Sequence, residues 1–515
     1  MRKRFFWTLL FAAIFLLGLA MRSPEIVRGN YLFGFDQGRD YIGAYSIAVL
    51  HKMTLIGAEV GAGSAGIQGI FHGPGYYYLL AFMHLVFRGD PYGGLVLMFA
   101  FGVGTLLVVF VTVKKMFNER VALIALFLVS IAPLIAPQSR FIWNHHPTSL
   151  FIALWLYGMY KVIDQPRLYA PLAVFISGLA YHFELAMAIP LVLTTFVAVF
   201  FVFRIFDKRV IIWMVIAAFV AFSPMIAFEA RHGFMATRGA LSHLTTQRHI
   251  QSTSAIDAHN GQWFLAQKRD VFIAMVRDSF VFDAGFISPS HIMITIVFIE
   301  FLIGWCTVMT KDKRVKKYFL AIFCAFPVSI LIFLPLRNAV WTYYLIHLQF
   351  IVLYAFAFSS WRILEEALRK PQYGVALLFV IYFFLSMGRG AFFRLKLNWY
   401  VDYPDYGGRE KILGKRAVID YMYADAKGKP FSAFIFTPPV YTWPYDYLFL
   451  TYAKEKYGYM PNHEKKGLAY MIIEIDGTNY WSYKGWLETV IKDGDVVWER
   501  YLQKSDHLLQ KRLFR

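Results

Sequence analysis

The sequence predicts a polytopic α-helical membrane protein with a small soluble domain at its C-terminal end. Three observations carry this. Of 515 residues, 58% are hydrophobic and only 17% are charged, where soluble domains carry roughly a quarter charged residues. The apolar residues fall in long blocks rather than in the short amphipathic stretches of one soluble core. The basic residues gather in alternate loops between those blocks. The net charge of +19 is therefore the cationic excess of cytoplasmic loops, which disfavours nucleic acid as a partner and names membrane lipids instead. Cys306 and Cys324 both sit in apolar blocks, so no disulfide framework and no cysteine metal site follows.

The first block follows Met1-Arg2-Lys3-Arg4 and runs from Phe5 to Ala20. It reads as a membrane span; a cleaved signal peptide, suggested by Gly18 and Ala20, is the alternative. Further spans are expected near 92–113, 121–136, 148–163, 168–181, 185–203, 209–227, 289–310, 318–336, 341–358 and 372–388, about eleven in all. With the N-terminus in the cytoplasm, one set of loops holds Lys114, Lys115 and Arg120, then Lys161 and Arg167, then Arg204, Lys208 and Arg209. The next loops of that set hold Lys311, Lys313, Arg314, Lys316 and Lys317, then Arg362, Arg369 and Lys370. Short loops on the opposite side carry only Arg140 and Arg337. Positive charge resists translocation, so this asymmetry sets the orientation. A transmembrane domain then covers 1–388, with a first outer loop at 22–90 and a large outer loop at 229–289. Residues 389–515 form an outer α/β domain, with strands expected at 431–436 and 469–475. The compact loops point to a bacterial inner membrane.

The first outer loop carries the strongest chemical signals. Asp36 and Asp40 bracket Gln37, Gly38 and Arg39, and the helical spacing that follows from Tyr41 puts Asp36 at or near a helix N-terminus. An N-cap beside a solvated arginine is the plain alternative. Farther on, Gly73-Pro74-Gly75 is a rigid turn before a helix of about 13 residues, Tyr76 to Phe87, too short to span and suited to lie on the bilayer surface. Gly61 to Gly66 match the dinucleotide fingerprint in letters, but no strand–helix unit frames them and no ribose-binding acid follows.

Arg140, Asn144, His145 and His146 crowd the next outer turn, and His182 and Glu184 reach the membrane edge on a third. Ionisable residues at span ends line a polar cavity or snorkel to the interface. His72, His145, His146, His182 and Asp36 on one face are a candidate set for a divalent cation, although their spacing does not enforce one. Arg337 and Asn338 precede Trp341, Tyr343 and Tyr344, where a guanidinium suits a phosphate or a lipid headgroup. Asp493-Gly494-Asp495 reads as a turn in preference to a metal-binding motif. Residues 263–282 read as an amphipathic surface helix. There is no Walker, HExxH or GxSxG motif, which disfavours an ATPase, a zincin or a familiar serine hydrolase.

In their order along the chain, these features resemble the GT-C fold membrane glycosyltransferases that use lipid-phosphate sugars. The resemblance is to the family of protein O-mannosyltransferases and aminoarabinose transferases. That family carries an Asp-Glu pair followed by x-Arg in its first outer loop; Asp36-Gln37-Gly38-Arg39 stands there, with Gln37 replacing the second acid. Its Lys-Pro-Pro-Leu turn is represented by His72-Gly73-Pro74-Gly75, without the lysine. Its Ser-Arg-x-x-x-x-Asp loop is matched by Ser139-Arg140, without the downstream acid. The motifs cover roughly residues 1–200; the rest follows by topology.

The resemblance implies transfer of a sugar from a polyprenyl-phosphate donor to a protein, lipid or glycan acceptor on the outer face. It implies Asp36 as base, with Asp40 or Glu184 as fallback. Arg39, Arg140 and Arg337 would bind phosphate, and His72, Asn144, His145, His146, His182, Tyr343 and Tyr344 would line the sugar site. No nucleotide is needed. A transporter or flippase of lipid-linked or anionic substrates is the main rival, disfavoured by the absence of repeats and of polar residues at mid-span. A membrane-anchored binding protein is the third reading.

Overall fold

The computed structural model describes residues 2–60, 69–245, 261–280, 310–336, 339–400, 407–438 and 441–515. The expected span at 289–310, Cys306, the glycine-rich loop at 61–66 and the pair Arg337–Asn338 lie outside the described residues, apart from the last residue of that span.

Helix α1 (Arg2–Ala20) packs on α6 (Glu119–Ile131). Gly18 allows this approach, because a Cβ there would lie 2.7 Å from Ser130 Oγ. Arg22, fully buried just past α1, locks the contact by donating to the carbonyls of Gly18 (3.0 Å), Ser130 (2.9 Å) and Val129 (2.8 Å). Burial draws its guanidinium down to about 9. The loop between α1 and the long helix α5 (Tyr92–Met116) carries α2 (Pro24–Arg28), α3 (Phe35–Ala48) and α4 (Gly75–Val86). Helix α3 thus begins six residues before the spacing suggests. Helix α4 has the expected amphipathic form: Tyr76, Leu80 and Ala81 are buried while Phe82, Leu85 and Val86 are exposed, an apolar outer face suited to lipid.

Helices α7 (Thr148–Val162) and α8 (Pro166–Leu179) continue the bundle. Then come α9 (Leu185–Val197) and the bent pair α10 (Lys208–Ala221) and α11 (Ser223–Arg231), which meet at 64°. Pro224 at the start of α11 removes the backbone donor that would carry α10 straight on. Among the described residues, five helices are long and apolar enough to cross a membrane, or six if the bent pair is one span. The expected count of about eleven is not reached by that measure. The apolar runs around α6, α7 and α8 condense into helices of 13, 15 and 14 residues, bounded by polar turns.

Two later spans divide the labour. In the most apolar 18 residues of Thr342–Ala367, 94% of the residues are buried, making it the central post of the bundle, whereas the matching stretch of Gly374–Leu397 has 22% buried and flanks it. That flanking helix runs on to Tyr400, past the boundary at 388 expected from composition. After α12 (Met235–Thr245), helix α13 (Gly261–Asp278) is more than a surface helix. Its Lys268 is 5% exposed and donates to the carbonyls of Leu334 (3.0 Å) and Leu336, which close the Ala325–Phe333 helix.

The C-terminal domain is a four-stranded mixed sheet in the order β1-β2-β4-β3. Strands β1 (Ser432–Phe436) and β2 (Gly467–Ile473) pair in parallel; β3 (Asp495–Leu502) and β4 (His507–Phe514) run antiparallel to their neighbours. Both expected strands are present. Strand β2 reads as an unbroken apolar run because both faces are covered. Ala469, Met471 and Ile473 face one cluster, while Tyr470 and Ile472 join a second cluster shared with the first outer loop. Asp493-Gly494-Asp495 is a turn, with Gly494 at φ +93°.

Candidate active site

Helix α3 is set by its own first turn. Gln37 Oε1 accepts from the Gly34 amide at 2.9 Å, capping the helix, and Gln37 Nε2 donates to the Ile142 carbonyl at 2.6 Å. The residue in place of the family's second acid therefore holds α3 against the second outer loop. Asp36 lies in that first turn, not at the N-cap, and Arg39 is not solvated. Arg39 Nη1 sits 2.9 Å from Asp36 Oδ1, and its Nη2 and Nε are each 2.8 Å from Asp40 Oδ1. The Asp36 side chain is 28% exposed and that of Asp40 only 1%. Burial raises the Asp40 carboxyl to about 6 against the pull of Arg39, and Asp36 adds to the rise. Burial alone would lower Arg39; the two carboxylates more than reverse this and keep it charged.

The turn before α4 lies across from this triad. Gly73 donates to the Tyr181 carbonyl at 3.0 Å, and Gly75 donates to His182 Nδ1 at 3.2 Å. A Cβ on Gly73 would fall 2.3 Å from that same ring nitrogen, so glycine is required for the close approach. His182 is thus occupied in fixing the turn. His72 Nδ1 accepts from the Leu185 amide at 3.1 Å and lies 3.9 Å from Glu184 Oε1. Glu184 caps α9 by accepting from the Ala186 amide at 3.1 Å. Burial drives His72 down to about 3, with Arg39 adding to the effect, and lifts Glu184 to about 8. Both shifts favour the uncharged forms, an imidazole beside a carboxylic acid.

The second outer loop closes the cleft. Asn144 Nδ2 donates to the Phe183 carbonyl at 2.6 Å, and His146 Nδ1 bonds the Phe141 carbonyl at 2.8 Å. The His145 ring stacks on Tyr343, with centroids 4.3 Å apart and planes at 11°. Trp143 and Tyr344 pack against the same tyrosine at 5.5 and 4.8 Å. Burial holds His145 well below its usual range, with contributions from His146 and His72. The fold therefore gathers Asp36, Arg39, Asp40, His72, Glu184, His145, Tyr343 and Tyr344, while His182, Asn144 and His146 each bond the backbone of a neighbouring loop residue.

Arg140, expected as a phosphate ligand, already has an acidic partner in the fold. Its Nε and Nη2 form a paired contact with Glu25 of α2, at 2.7 and 2.5 Å. The two border a small, partly open pocket with Tyr31 and, from the C-terminal domain, Lys411. Sequence reasoning missed Glu25, Trp143 and Lys411. Glu25 was marked only by being the single acid of its short helix. Among the described residues, no group of three or more His, Cys, Asp or Glu side chains is arranged to hold a metal ion.

The C-terminal domain reaches the same cleft. Phe33 donates to the Glu410 carbonyl and Ile412 to the Tyr31 carbonyl, both at 3.0 Å. Arg416 pairs with Asp90 at 3.0 Å. Tyr447 donates to the Gly89 carbonyl at 2.7 Å and bonds His84 Nδ1 at 2.8 Å. The short helix Trp443–Leu448 lies on α3.

Residues 71–228 match the family model described as dolichyl-phosphate-mannose-protein mannosyltransferase. Two crystal structures of ArnT from Cupriavidus metallidurans superpose over 99% of this chain and 98% of theirs. The form bound to undecaprenyl phosphate gives 11% identity and a TM-score of 0.53, and the apo form 12% and 0.55. No curated protein matches the chain in sequence. At these identities the structural likeness establishes the fold, and it does so over nearly the whole chain. The resemblance to GT-C lipid-phosphate-sugar glycosyltransferases read from the motifs is borne out by both findings.

Proposed function

We propose that this chain transfers a sugar from a polyprenyl-phosphate-linked donor to an acceptor on the extracytoplasmic face, by one inverting displacement with Asp36 as base. One observation carries the reading. Of the three carboxyl candidates, Asp36 alone is open to an incoming acceptor, while Asp40 and Glu184 are closed off. A guanidinium kept charged by two carboxylates lies 2.9 Å away.

In the proposed step, the acceptor hydroxyl gives its proton to Asp36 as its oxygen bonds the anomeric carbon. The bond from that carbon to the phosphate oxygen breaks, and the electron pair leaves on the phosphate. Arg39 offsets the charge that develops there, and Asp40 positions Arg39. His72, whose burial favours the neutral imidazole, faces the donor head without adding charge, and Glu184 behind it holds the start of α9. The exposed apolar face of α4 supports the donor's chain at the membrane edge. The undecaprenyl phosphate held by the ArnT structure supports a donor of this class. In this reading the protein sits in a bacterial inner membrane with its N-terminus in the cytoplasm.

The test is a transfer assay on purified protein with radiolabelled polyprenyl-phosphate sugars and a crude envelope acceptor. Asp36→Asn is expected to lose about 100-fold or more of the transfer rate, the scale of a general base, with its thermal unfolding unchanged. Near-normal transfer in that variant would remove Asp36 from the mechanism.

A further inference from the structure

Three aromatic rings stand beside Asp36 outside the buried core clusters formed by the described residues. Phe35, the residue before Asp36, lies 4.6 Å from the Trp443 ring and 5.1 Å from that of Tyr441. Tyr441 and Trp443 stack on each other at 4.6 Å with planes at 21°. The neighbouring rings Phe33, Tyr41, Tyr445 and Tyr447 all enter the core shared by the outer loop and the C-terminal domain. Phe35, Tyr441 and Trp443 instead pack on one another, and Tyr441 remains 49% exposed.

The group is held rigidly. Gly38 meets the backbone of Trp443–Pro444 so closely that a Cβ would lie 2.3 Å from Pro444 N. The Thr437 hydroxyl donates to the Tyr441 carbonyl at 3.0 Å. The rim is polar: Thr442 donates to Asp446 at 2.7 Å, and the Arg39 guanidinium lies 5.9 Å from the Phe35 centroid. A fixed aromatic face with a polar rim matches a pyranose ring, whose axial C–H bonds form an apolar face and whose hydroxyls point outward. Such C–H groups sit favourably on the negative face of an aromatic ring. A lipid surface would need a broad apolar patch without this rim, and an extended peptide would need an open strand edge or a run of side-chain pockets.

We infer that Phe35, Tyr441 and Trp443 form a stacking platform for a sugar ring of the acceptor, so that the acceptor is a glycan presented to Asp36 from the C-terminal domain. This rests on the transferase reading above. The platform stands one residue from the base and draws two of its rings from the outer domain. That gives the C-terminal domain a part in choosing the acceptor.

The full-length protein in detergent is tested by saturation-transfer NMR against tetrasaccharides of glucose, mannose and N-acetylglucosamine, and against a Ser/Thr-rich decapeptide. Saturation of the ring C–H protons of at least one tetrasaccharide is expected. Its affinity should fall about tenfold in Tyr441→Ala, a half-exposed position whose loss spares the core, and return in Tyr441→Phe. No saturation of any tetrasaccharide, binding indifferent to Tyr441→Ala, or Tyr441-dependent binding of the decapeptide alone would each overturn the platform. The same samples enter the donor transfer assay. Transfer without tetrasaccharide binding rejects the platform and leaves the transferase reading intact; Tyr441-dependent sugar binding without transfer from any donor does the reverse.

Discussion

Arg140 is held by a partner that its local sequence does not display. Beside Ser139 at a span end it reads as a phosphate ligand, yet it is held by both oxygens of Glu25, 115 residues away in the chain. The paired contact joins α2 to the second outer loop and is largely buried. Arg140→Ala should therefore lower stability by about 2 kcal/mol, since it strands a carboxylate in a confined site. It should show as a lower Tm with the apparent KM for donor little changed. A raised KM at unchanged Tm would return Arg140 to the donor site. Asp36 and Arg39 were legible because their spacing on one helical turn is local. Gln37 was not, because both of its bonds depend on where the helix starts and on what lies against it. The field of Arg39 at His72 likewise arises only when the first outer loop folds back on itself.

At the scale of elements, the glycine in Asp36-Gln37-Gly38-Arg39 decides where the C-terminal domain docks. A side chain at Gly38 would meet the backbone of Pro444 at 2.3 Å and of Trp443 at 2.6 Å, and neither can yield without moving its helix. Gly38→Ala should cost about 1–3 kcal/mol, the range for overpacked contacts. The loss should appear as faster hydrogen exchange across 443–448 and a drop in transfer, with exchange in the central 342–367 helix unaltered. Unchanged exchange at 443–448 would mean that this contact does not hold the domain. Helix α4 could be read from sequence because its turn and amphipathic pattern are contiguous. The role of Lys268 in α13 could not, since a lysine on an amphipathic helix looks solvated until the carbonyls it caps are brought to it. The flanking helix outran its expected end for a related reason. Arg389, Arg394 and Lys396 mark the end of the apolar run, but charges at a membrane edge do not stop a helix that continues beyond the bilayer.

At the scale of the whole molecule, the number of spans was the feature least legible in the sequence. Span counting depends on unbroken apolar length, and the outer ends of α6, α7 and α8 give up that length to the polar turns that build the cleft. Orientation depends only on where Lys and Arg accumulate, and short helices leave that unchanged. The cleft, the exposed face of α4 and the docked C-terminal sheet all lie on the side opposite the basic loops if the N-terminus is cytoplasmic. This arrangement can be tested directly. In a background with Cys306→Ser and Cys324→Ser, a cysteine placed at Lys465, exposed in the C-terminal domain, should react with a membrane-impermeant maleimide added to right-side-out vesicles. A cysteine placed at Lys316, in the basic loop set, should react only after the vesicles are opened. Labelling of Lys316→Cys in sealed vesicles would invert the topology. It would also place the Asp36 cleft on the cytoplasmic side, where nucleotide-activated sugars are available and a lipid-linked donor loses its rationale.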